Sequence, residues 1–242
     1  MKDHLNSIII GLAIIIAIGI VSTSYKNRNR ANDIINVTGL GERDFTSDLI
    51  VWSASFSKKR YDLPAAYEAL KTDRQLVVQY LSTKKIKAED VVFSAVSIDK
   101  EFNYTYDEKG NQRSEFTGYR LTQKVEIESK DVDKIEAMSR QITQLINNGV
   151  ELSSNRPEYY YTKLAELKVE MIAAATEDAT LRAKKIAENA GAQVGDLRYA
   201  QMGIFQIVAQ NSSEEYTWGG AFNTSSKQKT ATITMKLQFG IK

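Results

Sequence analysis

The segment that decides the fold is YTKLAELKVEMIAAATEDATLRAKKIAENAGAQVG, residues 161–195. It contains no proline and consists mostly of strong helix formers, and Gly191 stands where a left-handed residue would end a helix. Apolar residues recur along it at steps of three or four and predict one buried face. They are Leu164, Leu167, Met171, Ala175, Ala179, Ala183, Ile186 and Ala190. Because the middle of this stripe is alanine, we expect the helix axis to lie unusually close to the layer beneath it, most plausibly a sheet.

The composition of the chain argues against several classes of function. There is no cysteine, and the only histidine, His4, lies in the N-terminal segment. We therefore expect no disulfide, no thiolate or imidazole catalysis, no metal site and no cofactor in the folded region. The net charge is +2, and the basic excess lies within the first 30 residues. The nearly neutral remainder lacks the basic field that a nucleic-acid-binding protein needs, so we expect no nucleic-acid partner.

The N-terminus carries an apolar segment. Residues 5–25 contain no charged side chain, and at about 1.5 Å per residue a helix over them would be roughly 31 Å long, enough to cross a bilayer core. Residues 1–25 predict an uncleaved signal anchor, with a cleaved signal peptide or a buried core helix as alternatives. Residues 26–33 are the linker.

The direction of insertion is set by two opposing features. Lys26, Arg28 and Arg30 follow the apolar segment, and the positive-inside rule would keep them cytoplasmic, whereas a long domain can be translocated despite such charges. We expect an exported domain on a single-pass inner-membrane anchor, or a periplasmic or secreted domain if the segment is cleaved.

The first part of the folded region predicts strands and a helix. Residues 34–42 read as a strand that enters a bend at Gly39 and Gly41, and residues 48–57 as a second strand. The two glycines lack the third glycine and the following helix of a phosphate-binding loop, so we interpret them as a turn or bulge. Asp62 caps a helix with Pro64 in its first turn.

The remaining pattern predicts an α+β fold with an internal repeat. Residues 91–106 and 119–128 form a long hairpin, residues 131–147 a helix, residues 150–161 a short strand, and residues 197–208 and 231–239 the last strands. Residues 81–91 and 187–197 both leave a helix, turn and enter a strand. We therefore predict two β-α-β-β units, 47–128 and 150–240, with antiparallel sheet covered by long helices.

The chain carries five motifs in a fixed order: VTGLGE at 37–42, the helix-to-strand passage 81–91, GYRL at 118–121, DVDK at 131–134, and ATLRAKKIA at 179–187 followed by Gly191. Together they resemble the SIMPL-domain family, which includes bacterial periplasmic and outer-membrane immunogenic proteins. The resemblance covers residues 34–240. It implies a secreted or envelope-anchored two-part α+β domain, in some members a ring-like oligomer, and supplies no catalytic residues. The chain departs from the family pattern in having Thr46-Ser47-Asp48 where members often carry a proline.

Paired carboxylates are the only candidates for catalysis. They are Glu42 with Asp44, Glu89 with Asp90, and Glu177 with Asp178. Two such groups could divide acid and base roles in an envelope hydrolase, but each pair lies in a turn or on a helix, where solvated charge is ordinary. We therefore predict a non-enzymatic protein, with the hydrolase as an alternative.

Two aromatic segments are candidates for binding. Tyr160, in the middle of Tyr159-Tyr160-Tyr161, could be a stacking platform, although in a strand the outer two rings would pack inward and leave the middle one outside. The long polar segment 209–230 carries Tyr216, Trp218 and Phe222 and predicts either a partner or subunit contact or a disordered insertion. The expected function is binding or self-assembly of a membrane-tethered envelope domain, as a homo-oligomer or with an envelope protein. A cytoplasm-facing adaptor is a further alternative.

Overall fold

The computed structural model of the chain describes residues 11, 14–22, 25, 33–106, 108–215 and 217–242. The predicted anchor, residues 1–25, therefore lies largely outside the described residues, and the parts of it that are described are helical. Within these described ranges, no helix is both long enough and apolar enough to span a membrane.

The folded region contains ten strands and three α-helices between residues 33 and 242, with residues 107 and 216 not described. In chain order they are β1 (Ile34–Thr46), β2 (Leu49–Arg60), α1 (Leu63–Thr83), β3 (Val91–Phe93), β4 (Ser97–Tyr106), β5 (Gln112–Ser129), α2 (Val132–Gln141), β6 (Glu151–Ser154), β7 (Glu158–Tyr160), α3 (Leu164–Asn189), β8 (Val194–Met202), β9 (Gln206–Ala209) and β10 (Gln228–Ile241). Short 3₁₀ turns follow α1 and α2 at Ala88–Asp90 and Ile142–Asn148.

The strands form two antiparallel sheets, which we name after their central strands. In the β5 sheet, β5 pairs with β2 on one side and with β3 and β4 on the other, and β6 and β7 pair with β2. In the β10 sheet, β10 pairs with β1 on one side and with β8 and β9 on the other. Helices α1 and α2 cover the β5 sheet and α3 covers the β10 sheet, giving two separate cores. The predicted α+β class with antiparallel sheets under helices is confirmed.

The two sheets repeat one topology, but the chain is divided between them differently from the prediction. In each sheet a first strand (β2 or β1) is followed by a helix (α1 or α3), an outer strand (β4 or β8) and a central strand (β5 or β10). The predicted second unit, 150–240, is wrong at its start, because β6 and β7 pair with β2 in the β5 sheet. The first strand of the second unit is β1, at the start of the folded region. The unit of the β5 sheet is therefore inserted into the unit of the β10 sheet, between β1 and α3. Local periodicity predicts a strand at 150–161 and does not identify the partner of that strand.

The glycine pair of β1 explains how closely α3 packs. The predicted bend is wrong: β1 runs straight through Gly39 and Gly41, and its pairing with β10 is uninterrupted. A Cβ on Gly39 would lie 2.1 Å from the Ala175 carbonyl oxygen, and one on Gly41 would lie 2.5 Å from that of Met171. The expected close approach of α3 to the sheet is therefore confirmed, and glycine is required because helix backbone occupies the space of a side chain.

The buried stripe of α3 differs from the predicted one at its C-terminal end. Ala175, Ala179 and Ala183 are fully buried as expected, but Ile186 is 50% exposed and Ala187 is buried in its place. The stripe therefore keeps a step of four. This row keeps small side chains against the sheet.

The two passages that suggested a repeat have the same local geometry. After α1, the Ile86 N–H donates to the Leu81 carbonyl, and after α3 the Ala192 N–H donates to the Ala187 carbonyl, at 3.1 and 2.9 Å. Both are Schellman caps with a left-handed residue, Lys85 (φ 54°) in the first and Gly191 (φ 70°) in the second. The helix–turn–strand correspondence is confirmed.

Candidate functional site

The candidate site is the loop of residues 210–227 between β9 and β10, which is fixed by main-chain hydrogen bonds. The Ile207 N–H donates to the Ala221 carbonyl at 2.7 Å, and the Asn223 N–H donates to the Ile207 carbonyl at 2.9 Å. A third bond, from the Tyr159 N–H to the Thr224 carbonyl at 2.7 Å, connects the loop to β7 of the other sheet. The described part of the loop is thus tied to both sheets.

Two polar side chains, those of Gln206 and Glu214, hold the loop in place through hydrogen bonds. Neither was identified from the sequence. Gln206 is buried; its Nε2 donates to the Thr217 carbonyl at 2.8 Å, and its Oε1 accepts from the Ala221 N–H at 2.5 Å. Glu214 accepts from the Ala209 N–H at 3.0 Å and from Asn223 Nδ2 at 2.5 Å. The one available signal was a glutamine inside the apolar run 204–208.

Trp218 is the more exposed of the two described aromatic residues in the loop. It lies in a turn closed by the Gly220 N–H, which donates to the Thr217 carbonyl at 3.1 Å, and its side chain is 96% exposed. Phe222, on the return of the loop, is 50% exposed. Tyr216, the third predicted aromatic, lies outside the described residues.

Tyr160 lies in β7 of the β5 sheet and not in the loop that carries Trp218 and Phe222. Its hydroxyl donates to Glu158 Oε2 at 2.6 Å, and this bond to a carboxylate raises the pKa of Tyr160. Its neighbours point into different cores: Tyr159 is buried in the core of the β5 sheet, and Tyr161 packs against Phe45 in the core of the β10 sheet, with 4.8 Å between ring centroids. The tyrosine run therefore connects the two cores; Tyr159 is buried, and Tyr160 and Tyr161 are each partly exposed.

Two shallow clefts flank the loop. The larger, about 510 Å³, lies between the Trp218 turn and the face of the β10 sheet opposite α3. Its polar lining includes Glu42, Gln206, Thr232, Thr234 and Lys236. The smaller, about 310 Å³, lies between Phe222 and the start of α3. In it Lys168 Nζ lies 5.3 Å from the centre of the Phe205 ring, a cation–π distance.

A buried lysine lies beneath the loop. Lys229 of β10 is 1% exposed, and its Nζ donates to the Tyr159 carbonyl at 2.5 Å and lies 5.9 Å from the centre of the Phe222 ring. Burial lowers the pKa of Lys229 from 10.5 to about 8 because the charged form loses its hydration. The hydrogen bond from Lys229 to Tyr159 is therefore a second link between the two sheets at the base of the loop, in addition to the main-chain bond between Tyr159 and Thr224.

Two of the paired carboxylates, Asp178 and Asp44, make contacts that stabilise the fold. Asp178 accepts the Leu40 N–H of β1 at 2.9 Å and pairs with Arg182, also at 2.9 Å, and these contacts lower its pKa. Asp44 accepts from Gln210 Nε2 and from Thr230 Oγ1. Across the described ranges, no three acidic or histidine groups are placed to hold a metal ion.

Comparison with known proteins identifies the family. The SIMPL family model, whose description is "protein of unknown function (DUF541)", matches residues 35–239, from β1 to β10. No curated protein matches the chain. The matched region includes both sheets and all three helices of the folded part, in agreement with the resemblance found in the motifs. The chain therefore belongs to the SIMPL family.

Proposed function

We propose that the protein is a non-enzymatic, membrane-tethered protein of the cell envelope whose SIMPL domain works by binding a partner or by self-assembly. The observation that carries the proposal is Trp218, an indole held 96% exposed at the end of a fixed loop. Trp is enriched among the residues that dominate the energy of protein interfaces. An exposed large aromatic side chain on a loop with so many internal bonds is best explained by a partner that covers it.

The hydrogen bonds that hold the loop support this proposal, because they reduce the conformational entropy that is lost when a partner binds. Association requires the ordering of interface side chains and loops, at about 0.5–1.5 kcal/mol for each immobilised side chain. Gln206 and Glu214 make five hydrogen bonds between them, and these hold the loop at Thr217, Ala221 and Asn223, on both sides of Trp218. Trp218 can then be buried against a partner at a low further cost.

The experiment is a paired substitution in the full-length chain. Trp218→Ser with Phe222→Ser removes both exposed rings and keeps the bonds of Gln206 and Glu214. We expect loss of the oligomer, or loss of an envelope partner defined in the parent protein, by light scattering and affinity purification. Tyr67→Ser is the matched control, because Tyr67 is 52% exposed on α1, away from the loop. Unchanged assembly and unchanged partners in the double variant would contradict the proposal.

The membrane tether and its direction are tested separately. The chain contains no cysteine, so a cysteine introduced at Ser213 is its only thiol. We expect a membrane-impermeant maleimide to label this thiol in spheroplasts, as an exported domain requires. Labelling only after lysis would place the domain in the cytoplasm and favour the adaptor.

A further inference from the structure

A two-stranded arm extends from the β5 sheet. β2 ends at Arg60, opposite Tyr119, and beyond that point β5 pairs only with β4 among the described strands. We call residues 102–106 and 112–116 the arm. At its base Thr117 is an extra residue in β5 and forms a bulge beside Gly118 (φ 129°), where a Cβ would lie 2.5 Å from the Arg60 carbonyl oxygen. A bulge of this kind bends the strand that carries it.

One face of the arm is aromatic and exposed. Phe102, Tyr104 and Tyr106 alternate along β4, and their side chains are 42%, 56% and 70% exposed. Phe116 lies beside Phe102 with 5.7 Å between ring centroids. This face continues the core face of the sheet, because Ile98 of β4 is paired with the fully buried Leu121. A hairpin of two strands is marginally stable in water, and one that also exposes its apolar face calls for further strands.

The outer edge of β4 is open to another strand. The arm segment of β4, FNYTY, has no charge, no proline and no glycine. Natural proteins protect such edges with charges, bulges, helices or short strands. Other edges of the two sheets follow this rule: Asp178 of α3 takes the Leu40 N–H of β1, β8 has two register irregularities, and β6 and β7 are short. The first half of β4 carries Asp99, Lys100 and Glu101, whereas its arm segment, residues 102–106, lacks such protection in the described part of the fold.

We infer that β4 pairs antiparallel with β4 of a second copy of this chain, around a two-fold axis at Tyr104. Tyr104 then faces the partner's Tyr104, and Phe102 faces the partner's Tyr106, which gives aromatic pairs across the joint. The ladder joins residues 102–106 of the two copies, because β4 ends at Tyr106. The result is a four-stranded arm with a continuous aromatic face.

A second copy fits this edge because the segment is compatible with itself. Directly opposite like charges destabilise a strand pair, and residues 102–106 carry none. This inference rests on the self-assembly branch of the proposed function and uses a different surface, so the arm and the loop can be tested independently.

A charge swap at Tyr104 tests the two-fold axis. Tyr104→Lys and Tyr104→Glu, each alone in the full-length chain, place like charges opposite each other, and we expect at least a tenfold weaker dimer by sedimentation. Mixing the two variants should restore the dimer. Val92→Lys, at a site 63% exposed on β3, is the control and should leave it unchanged. A dimer as strong as that of the parent protein in each single variant, or no recovery of the dimer on mixing, would overturn the pairing.

Disulfide formation tests the register. Tyr104→Cys should give an oxidised dimer under mild oxidation, and Phe102→Cys mixed with Tyr106→Cys should give more of the mixed dimer than of either homodimer. A Tyr104→Cys thiol that reacts fully with maleimide and forms no dimer, whatever other molecule it captures, would overturn the inference. Loss of the dimer in the arm variants, with both dimer and envelope partner kept in the Trp218→Ser, Phe222→Ser double variant, would support the arm and contradict the loop proposal. Loss of the dimer only in the double variant would reject the arm alone.

Discussion

At the residue scale, the two Schellman caps differ in the residue that adopts the left-handed conformation. Lys85 occupies it in the first cap and Gly191 in the second. A left-handed conformation is unfavourable for a residue with a Cβ and neutral for glycine. A Cβ on Gly191 would meet no atom within 4 Å, so its substitution tests conformation without a clash.

We expect the same exchange at these two positions to have opposite effects. Lys85→Gly should raise the free energy of unfolding by about 0.5–1 kcal/mol, and Gly191→Ala should lower it by about 1 kcal/mol. Urea denaturation of both variants measures this. Changes of the same sign would show that the caps are not equivalent.

Lys229 predicts a pH dependence of stability. Its folded pKa of about 8 lies below the ordinary 10.5, so between these values the unfolded chain binds more protons than the folded one. The free energy of unfolding should therefore rise with pH through this window, by roughly 3 kcal/mol in total from this group. Lys229→Met should be more stable than the parent at pH 7, with the difference shrinking as the pH is raised towards 10. A constant difference would mean that Lys229 keeps its ordinary pKa.

At the scale of the element, the packing of α3 on β1 predicts a severe effect from a small substitution. Gly39→Ala places a Cβ 2.1 Å from helix backbone, which cannot rotate away. We expect a loss of about 3 kcal/mol or more in the free energy of unfolding. Gly219→Ala is the control, because it has open space around it, and should change the value by less than about 0.5 kcal/mol. Thermal or urea unfolding separates the two, and equal effects would contradict the close packing.

Elements with a strong local signal were predictable from sequence, and their partners were not. The period of α3 and the alternation of β5 follow from the order of residues along one segment. The role of Gly39 depends on Ala175 and Ala179, far along the chain, so the glycine pair looked like a turn. The breaks between β3 and β4 and between β8 and β9 were also missed, because apolar residues continue through both.

At the scale of the whole molecule, one β-α-β-β unit is inserted into another. β1 begins the β10 sheet, and α3 continues it only after the β5 sheet is complete. Tyr159, Tyr161 and Lys229 connect the two cores at the base of the candidate loop. The loop was predictable from its length and its aromatic residues, whereas its anchors, Gln206 and Glu214, were not, since each acts through main-chain groups that only the fold brings near.

The central claim is that the loop at Trp218 is a contact surface. It is tested most directly by crosslinking in cells with full-length Gly219→Cys, which keeps Trp218, has open space for the new side chain and carries the only thiol in the chain. Tyr67→Cys is the exposed control. The account predicts that a short thiol-to-amine crosslinker joins Gly219→Cys to one defined product, a second copy or a single envelope protein, and leaves Tyr67→Cys monomeric. A Gly219→Cys chain that is fully modified by the reagent and remains uncrosslinked, as the control does, would contradict it.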